Sequence, residues 1–317
     1  MNAMITEKEF RYLSADGKTA VYAKEYMPEG SARGIVQIAH GVSEYFGRYD
    51  AFARFLSDEG FIVVGNDHLG HGKTAATQDD LGYFCDFDAW NSVVDDMRAL
   101  HDRTTAAHPG LPYFLFGHSM GSFLARTYLI RYQTGLNGAV ISGTGHQGKA
   151  LVSAGRAMGK LVCLTQGRRC KSSLLENMAF GSYNKGYTDV KTPHDWLSRD
   201  ESVPAAYEAD PLCGQPVTAG LFTDMMGGIA CITDGKNIAR MKKDLPVLFI
   251  SGACDPVGEN GKGVMRACRA FLNSGMQDVT VKLYPEGRHE MLNELNKDEV
   301  YADVLTWLNS KLPERSL

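Results

Sequence analysis

Three residues far apart in this sequence have the chemistry for acyl transfer: Ser119, Asp255 and His289. A serine hydroxyl is a poor nucleophile until a base takes its proton, and that base needs an acid to orient it. Ser119 lies in Gly117-His118-Ser119-Met120-Gly121, a G-x-S-x-G pentapeptide. The apolar run at 113–116 predicts a strand before it and a helix is expected from Phe123 onward, so the pentapeptide falls on a strand-to-helix turn. Such a turn sets the hydroxyl at a helix N-terminus, where unpaired amides favour developing negative charge. Asp255 follows the apolar run 246–250 and the turn Ser251-Gly252. Beyond it the chain has a single histidine, His289, in the loop after the last expected strand. The order serine, acid, histidine is the one this elbow arrangement uses. A tetrahedral oxyanion needs two amides. Met120, after the nucleophile, is expected to supply one and Val42 in His40-Gly41-Val42-Ser43 the other, with Gly41 as the alternative.

These residues require a scaffold that brings several post-strand loops to one edge. Apolar runs at Gly34–Ala39, 61–64, 113–116, Gly138–Ser142, 246–250 and Val279–Tyr284 are interleaved with helical periodicity at 48–59, Ala89–Ala107, 261–273 and 297–311. This rhythm predicts an α/β fold with a mostly parallel, doubly wound sheet that binds ligands beyond the carboxyl ends of its strands. Short alternating runs at 10–14 and 19–26, split by Asp16-Gly17, add an antiparallel hairpin. From 145 to 240 the rhythm stops, and amphipathic pieces at 150–164 and 219–232 predict a largely helical insertion. The expected organisation is a core at 1–144 and 241–317 interrupted by a helical lid at 145–240.

Composition narrows the partners. A chain of 317 residues with 44% hydrophobic content can bury a large core, and a net charge of −4 without a dense basic run argues against nucleic acid. Seven cysteines without C-x-x-C pairs or metal-ligand spacing read as reduced thiols. The N-terminus lacks the apolar core of a signal peptide, and no run reaches the roughly 18 apolar residues of a membrane span. A cytoplasmic protein without an integral membrane segment is expected; the sequence gives no oligomeric state.

Taken together, His40-Gly41-Val42-Ser43-Glu44 with Gly47-Arg48-Tyr49, Asp67-x-x-Gly70-His71-Gly72, the elbow, Ser251-Gly252-x-x-Asp255-Pro256-Val257 and Arg288-His289-Glu290 resemble one family. It is the monoacylglycerol lipase and lysophospholipase branch of the α/β-hydrolases, also described as serine aminopeptidase-like. The resemblance implies serine esterase chemistry, no cofactor, a lid over the site, and a small acyl ester or single-chain lipid as substrate. Two positions depart from the pattern: Ser122 where relatives commonly have glycine, and Lys73-Thr74 where a serine is usual. An aminopeptidase or amidase of the same fold is the competing enzyme, and it would use a lid carboxylate such as Glu201, Glu208 or Asp210 to bind an amine. A non-catalytic binding module is the alternative from another class.

Other residues invite chemistry less strongly. His68 and His71 lack a third ligand at metal spacing and read as structural loop histidines. His118 is expected to point away from Ser119 and support the turn. Cys254, beside the acid, reads as a small buried apolar residue. Met225 and Met226, with Gly41, are candidate substrate-binding residues, although the two methionines would equally serve to pack the lid. The lid cations Lys149, Arg156, Lys160, Arg168, Arg169 and Lys171 form no single helical stripe and read as a solvated face.

Overall fold

The computed structural model describes residues 5–313, so the extreme ends of the expected core ranges lie outside the described residues. Among the described residues eight strands form one sheet: β1 (Thr6–Leu13), β2 (Ala20–Met27), β3 (Gly34–Ala39), β4 (Phe61–Asn66), β5 (Tyr113–His118), β6 (Gly138–Ser142), β7 (Val247–Gly252) and β8 (Val279–Tyr284). Their order is β1-β2-β4-β3-β5-β6-β7-β8. The pairs β1–β2 and β2–β4 are antiparallel and all others parallel, so β3, β5, β6 and β7 end at the same edge. This is an α/β-hydrolase sheet.

Both faces are covered, which is why the central strands are apolar at consecutive positions rather than alternate ones. Helix α1 (Asp50–Asp58) precedes β4, α2 (Ala89–Ala107) precedes β5 and α3 (Met120–Arg131) follows it. Between β6 and β7 run α4 (Lys149–Gln166), α5 (Ser173–Phe180), α6 (Ser202–Ala209), α7 (Ala219–Thr233) and the single turn α8 (Gly235–Ile238); α9 (Lys262–Asn273) and α10 (Lys297–Ser310) complete the chain. On one face Phe114 and Phe116 of β5 pack with Phe52 and Leu56 of α1 and Val300 and Val304 of α10. On the other, Leu115 packs with Val93 of α2, Leu124 of α3 and Phe271 of α9. The residues between β6 and β7 contain no strand, only an isolated bridge from Lys171 to Thr218. There α4 lies tightly on α7, because Gly159 of α4 leaves room for Phe222 and Thr223.

One buried cation links this segment to the core. Arg126 of α3 has no exposure, and its guanidinium donates to Thr144 Oγ1, to the carbonyls of Gly145 and Ile232, and to His146 Nδ1. Those acceptors lie just after β6 and at the end of α7.

Two boundaries differ from expectation by more than two residues. Helix α3 starts at Met120 rather than Phe123, so the turn has shrunk to Ser119 itself. Strand β1 begins at Thr6, before the expected run at 10–14, because Thr6, Glu7, Lys8 and Glu9 are exposed edge residues with no apolar alternation to betray them.

Candidate active site

Ser119 occupies the turn with φ 54° and ψ −122°, a strained conformation for a residue with a side chain. Its amide donates to the Ser142 carbonyl, and its own carbonyl accepts from the Ser122 amide and hydroxyl. Ser122 thus fits the buried start of α3 where a glycine is commoner. The tightness of the elbow is visible at Gly121, where a Cβ would stand 2.0 Å from the Ala39 carbonyl oxygen.

The structure brings Asp255 and His289 together. Asp255, in the loop after β7, is fully buried and accepts from His289 Nδ1–H (3.0 Å), Ser251 Oγ (3.1 Å) and the Val257 amide (2.9 Å). Burial raises its pKa, yet the facing imidazole and these donors outweigh that and hold it below the ordinary carboxylate range. For His289 burial opposes the charged form, but the Asp255 charge and hydrogen bond lift its pKa above the ordinary value. With Nδ1–H given to Asp255, Nε2 is left as an acceptor; it is buried without a hydrogen-bond partner among the described residues, and His289 lines the same cavity as Ser119. The ring is held between His118 (centroids 4.6 Å apart) and Trp196 (4.9 Å).

His118 lines the same cavity and packs on His289. Its Nδ1 lies 3.1 Å from Ser142 Oγ, and burial pushes its pKa down to about 4, so it stays neutral beside His289. Cys254 is half-buried rather than buried, and its carbonyl accepts from Tyr187 Oη.

Ser119 lies close to the loop after β3. The Gly41 amide is already taken by Glu44 Oε1 at 2.5 Å, whereas the Val42 amide donates to no acceptor among the described residues. The same holds for Met120, the first residue of α3, whose amide is one of the four that a helix leaves unbonded. Gly41 approaches so closely that a Cβ there would stand 3.1 Å from Ser119 Cβ.

Two cavities meet at Ser119. The first, about 30 Å³, is the more polar of the two, with Glu44, Glu176, His194, Gln215 and Glu290 facing Phe180, Trp196 and Leu197 around Ser119 and His289. The second, about 310 Å³, is apolar, with Phe123, Val152, Phe222, Met225, Met226 and Ile229 among its lining. Met225 and Met226 thus sit in the apolar cavity and Gly41 in the polar one. Of the expected lid carboxylates, Glu201 pairs with Lys191, Asp210 accepts from Tyr45 Oη and Glu208 pairs with His194. None of the three lines either cavity. Glu176 does, and sequence reading missed it because nothing in Leu174-Leu175-Glu176-Asn177 marks its direction.

The sequence profile described as serine aminopeptidase, S33, matches residues 30–296. The chain belongs to that family. A monoacylglycerol lipase of Mycolicibacterium smegmatis is 29% identical over 97% of this chain and 99% of its own length. Monoglyceride lipase of Mus musculus is 25% identical over 95% of this chain and 90% of its own. Among solved structures, a highly thermostable carboxyl esterase from Bacillus coagulans, in complex with glycerol, superposes with a TM-score of 0.91 at 29% identity, covering 98% of this chain and all of that one.

The remaining motif of this S33 chain is architectural. Asp67 receives the amides of Phe46 (2.9 Å) and Lys73 (2.7 Å), and burial raises its carboxyl to about 6. Gly72 (φ 47°) is obligatory there, since a Cβ would lie 2.2 Å from Asp67 Oδ2. Thr74 supplies the hydroxyl expected of a serine, donating to the Asp67 carbonyl and accepting from the Tyr22 amide. His40 stacks on His68 (4.1 Å), accepts the His68 amide on Nε2 and donates Nδ1–H to the Gly41 carbonyl, fixing the loop that carries Val42. Burial lowers the pKa values of His40, His68 and His71, so this histidine group is neutral packing. No group of three or more His, Cys, Asp or Glu among the described residues has the arrangement of a metal site, and no helix there is long and apolar enough to cross a membrane. The cations Lys149, Arg156, Lys160, Arg169 and Lys171 are exposed, and Arg168 pairs with Asp224.

Proposed function

We propose that this chain is a serine esterase of the monoacylglycerol lipase and lysophospholipase type, with residues 145–240 as its lid and 1–144 and 241–317 as its core. The observation that carries the reading is His289 Nε2, buried and without a hydrogen-bond partner among the described residues in the cavity that Ser119 also lines, with its other nitrogen committed to Asp255. In this reading Ser119 Oγ attacks the ester carbonyl as His289 Nε2 takes its proton. Asp255 stabilises the imidazolium, and the Val42 and Met120 amides receive the oxyanion. His289 then passes the proton to the departing alcohol, and water, activated by the same base, hydrolyses the acyl-enzyme to acid and free serine.

The two cavities support a division of the substrate. A single acyl chain suits the 310 Å³ apolar cavity bordered by Met225 and Met226, and a small hydroxylated alcohol suits the polar side, where Glu176 and His194 offer hydrogen-bond partners. The amidase reading keeps one supporting feature, the Glu176 carboxylate, and an assay separates the two. Wild type and Ser119→Ala are compared on monoacylglycerols, lysophospholipids, p-nitrophenyl esters from acetyl to palmitoyl, and amino-acid p-nitroanilides. Ester turnover abolished in the variant is the expected result. Anilide turnover exceeding ester turnover would move the assignment to the amidase, and silence on every substrate by folded protein would refute both.

A further inference from the structure

At the wall of the first cavity, which Glu44 and Glu290 line, lies a cluster of charge that the proposed reaction does not use. Arg48 Nη1 donates to Glu44 Oε2 (2.7 Å) and Glu290 Oε1 (2.6 Å), and Nη2 donates to Glu290 Oε2 (2.8 Å). The side chains retain only 13%, 5% and 5% exposure for Arg48, Glu44 and Glu290. Tyr49 Oη and the Gly41 amide close on Glu44 Oε1, Asn293 Nδ2 closes on Glu290 Oε2, and the Tyr207 ring covers the guanidinium at 5.0 Å. Burying three ions is an expensive way to hold a protein together, since apolar residues of similar volume do as well or better. What this triad does that apolar packing cannot is fix two loops in register through directional bonds. One end grips the amide of Gly41, directly before Val42; the other is Glu290, directly after His289.

We propose that Glu44, Arg48 and Glu290 are positioning residues, a strut that fixes the loop carrying the Val42 amide against the loop carrying His289 and leaves one excess negative charge behind the imidazole. The inference rests on the reading of Ser119 and His289 as nucleophile and base. Position matters because misplacing a reacting group by about 1 Å costs on the order of 100-fold in rate. Charge matters because the base becomes an imidazolium as Ser119 loses its proton, and a nearby negative charge favours that form. The titratable and charged groups around His289 are Asp255 after β7, His118 at the end of β5, Glu44 before α1 and Glu290 in its own loop, with Arg48 bonded to both glutamates and Glu176, His194 and Tyr207 of the β6–β7 segment across the shared cavity. Arg288 is turned away, donating to the carbonyls of Asp195 and Ser198.

The test is the rate at which a fluorophosphonate labels Ser119 across pH, because it reads nucleophile and base without a known substrate. Arg48→Met, Arg48→Lys and Glu290→Gln are compared with wild type, each with a thermal melt. Arg48→Met is expected to lose about 100-fold in plateau labelling rate, with Arg48→Lys recovering part of it. Glu290→Gln keeps the shape but removes a negative charge, so its acid limb moves to lower pH and its plateau falls about tenfold. If Arg48→Met does not fold, Glu290→Gln decides. Variants that melt earlier yet label at the wild-type rate with an unmoved acid limb would overturn the strut while leaving the proposed function intact. Wild type that does not label at all would overturn the proposed function and the strut with it.

Discussion

Replacing Gly121 with alanine tests the contact on which the elbow depends. A Cβ at that position would stand 2.0 Å from the Ala39 carbonyl oxygen, 2.6 Å from the Ala39 carbonyl carbon and 2.6 Å from the His40 carbonyl oxygen. All three are backbone atoms, so no side chain can swing aside. Relief to the 3.0 Å that real Cβ atoms respect demands about 1 Å of separation between the start of α3 and the end of β3. Those are the segments that carry the Met120 and Val42 amides, so the variant opens the proposed oxyanion site directly. Overpacking of this kind costs roughly 1–3 kcal/mol, and a misplacement of about 1 Å lowers the rate on the order of 100-fold. We expect Gly121→Ala to melt several degrees lower and to lose at least about 100-fold in kcat with a much smaller change in KM. Gly148→Ala is the control, with φ −68° and no atom within 4 Å of a Cβ. Steady-state ester assays with calorimetry on both variants decide it. A Gly121→Ala enzyme with wild-type kcat would show that the close approach of α3 to β3 does not set the geometry of the amides.

Further outcomes follow from the same geometry. With His289 as the proposed neutral base and its pKa raised, kcat/KM should fall as pH drops through a midpoint above the ordinary histidine value of about 6.5; a midpoint below that value contradicts the Asp255 pairing. Asp255→Asn should reduce kcat by about 10⁴-fold, because without the carboxylate the imidazole settles in the wrong tautomer, and a loss under tenfold would assign the orienting role elsewhere. Glu176→Gln is expected to slow hydrolysis of a glycerol ester by about 10- to 100-fold relative to the p-nitrophenyl ester of the same acyl chain, the effect of a charged hydrogen-bond acceptor lost; equal slowing of both would place the alcohol outside the polar cavity. Each methylene entering the apolar cavity should raise kcat/KM about fourfold, from about 0.8 kcal/mol of burial, until the space is filled; a flat chain-length profile would deny that the cavity holds the acyl chain.

Some elements were legible to the residue. Gly34–Ala39, Ala89–Ala107, Gly138–Ser142 and Val279–Tyr284 were bounded correctly because an apolar run or stripe ends abruptly at polar or turn-forming residues. The start of α3 was not, since Met120 and Gly121 carry no helical periodicity and are held in helix by tertiary packing against Ala39. The approach of Asp255 to His289 could be anticipated from post-strand position alone, because parallel strands deliver their loops to a shared edge. The Glu44–Arg48–Glu290 cluster could not, since Arg48 and Glu290 are 242 positions apart and common surface residue types. Glu176 was hidden for a related reason: whether a residue on a short helix such as α5 faces a cavity depends on how the helix is docked, not on its own sequence.

Arg126 bears on how substrate would reach this site. Its single guanidinium holds Thr144 and Gly145, where the chain leaves β6, and Ile232, where α7 ends. The start of the β6–β7 segment and the end of α7 are therefore both tied to α3, the helix that follows Ser119. For the lid proposed at 145–240, widening over Ser119 is then expected to come from flexing of residues 147–231 rather than from these two attachment points.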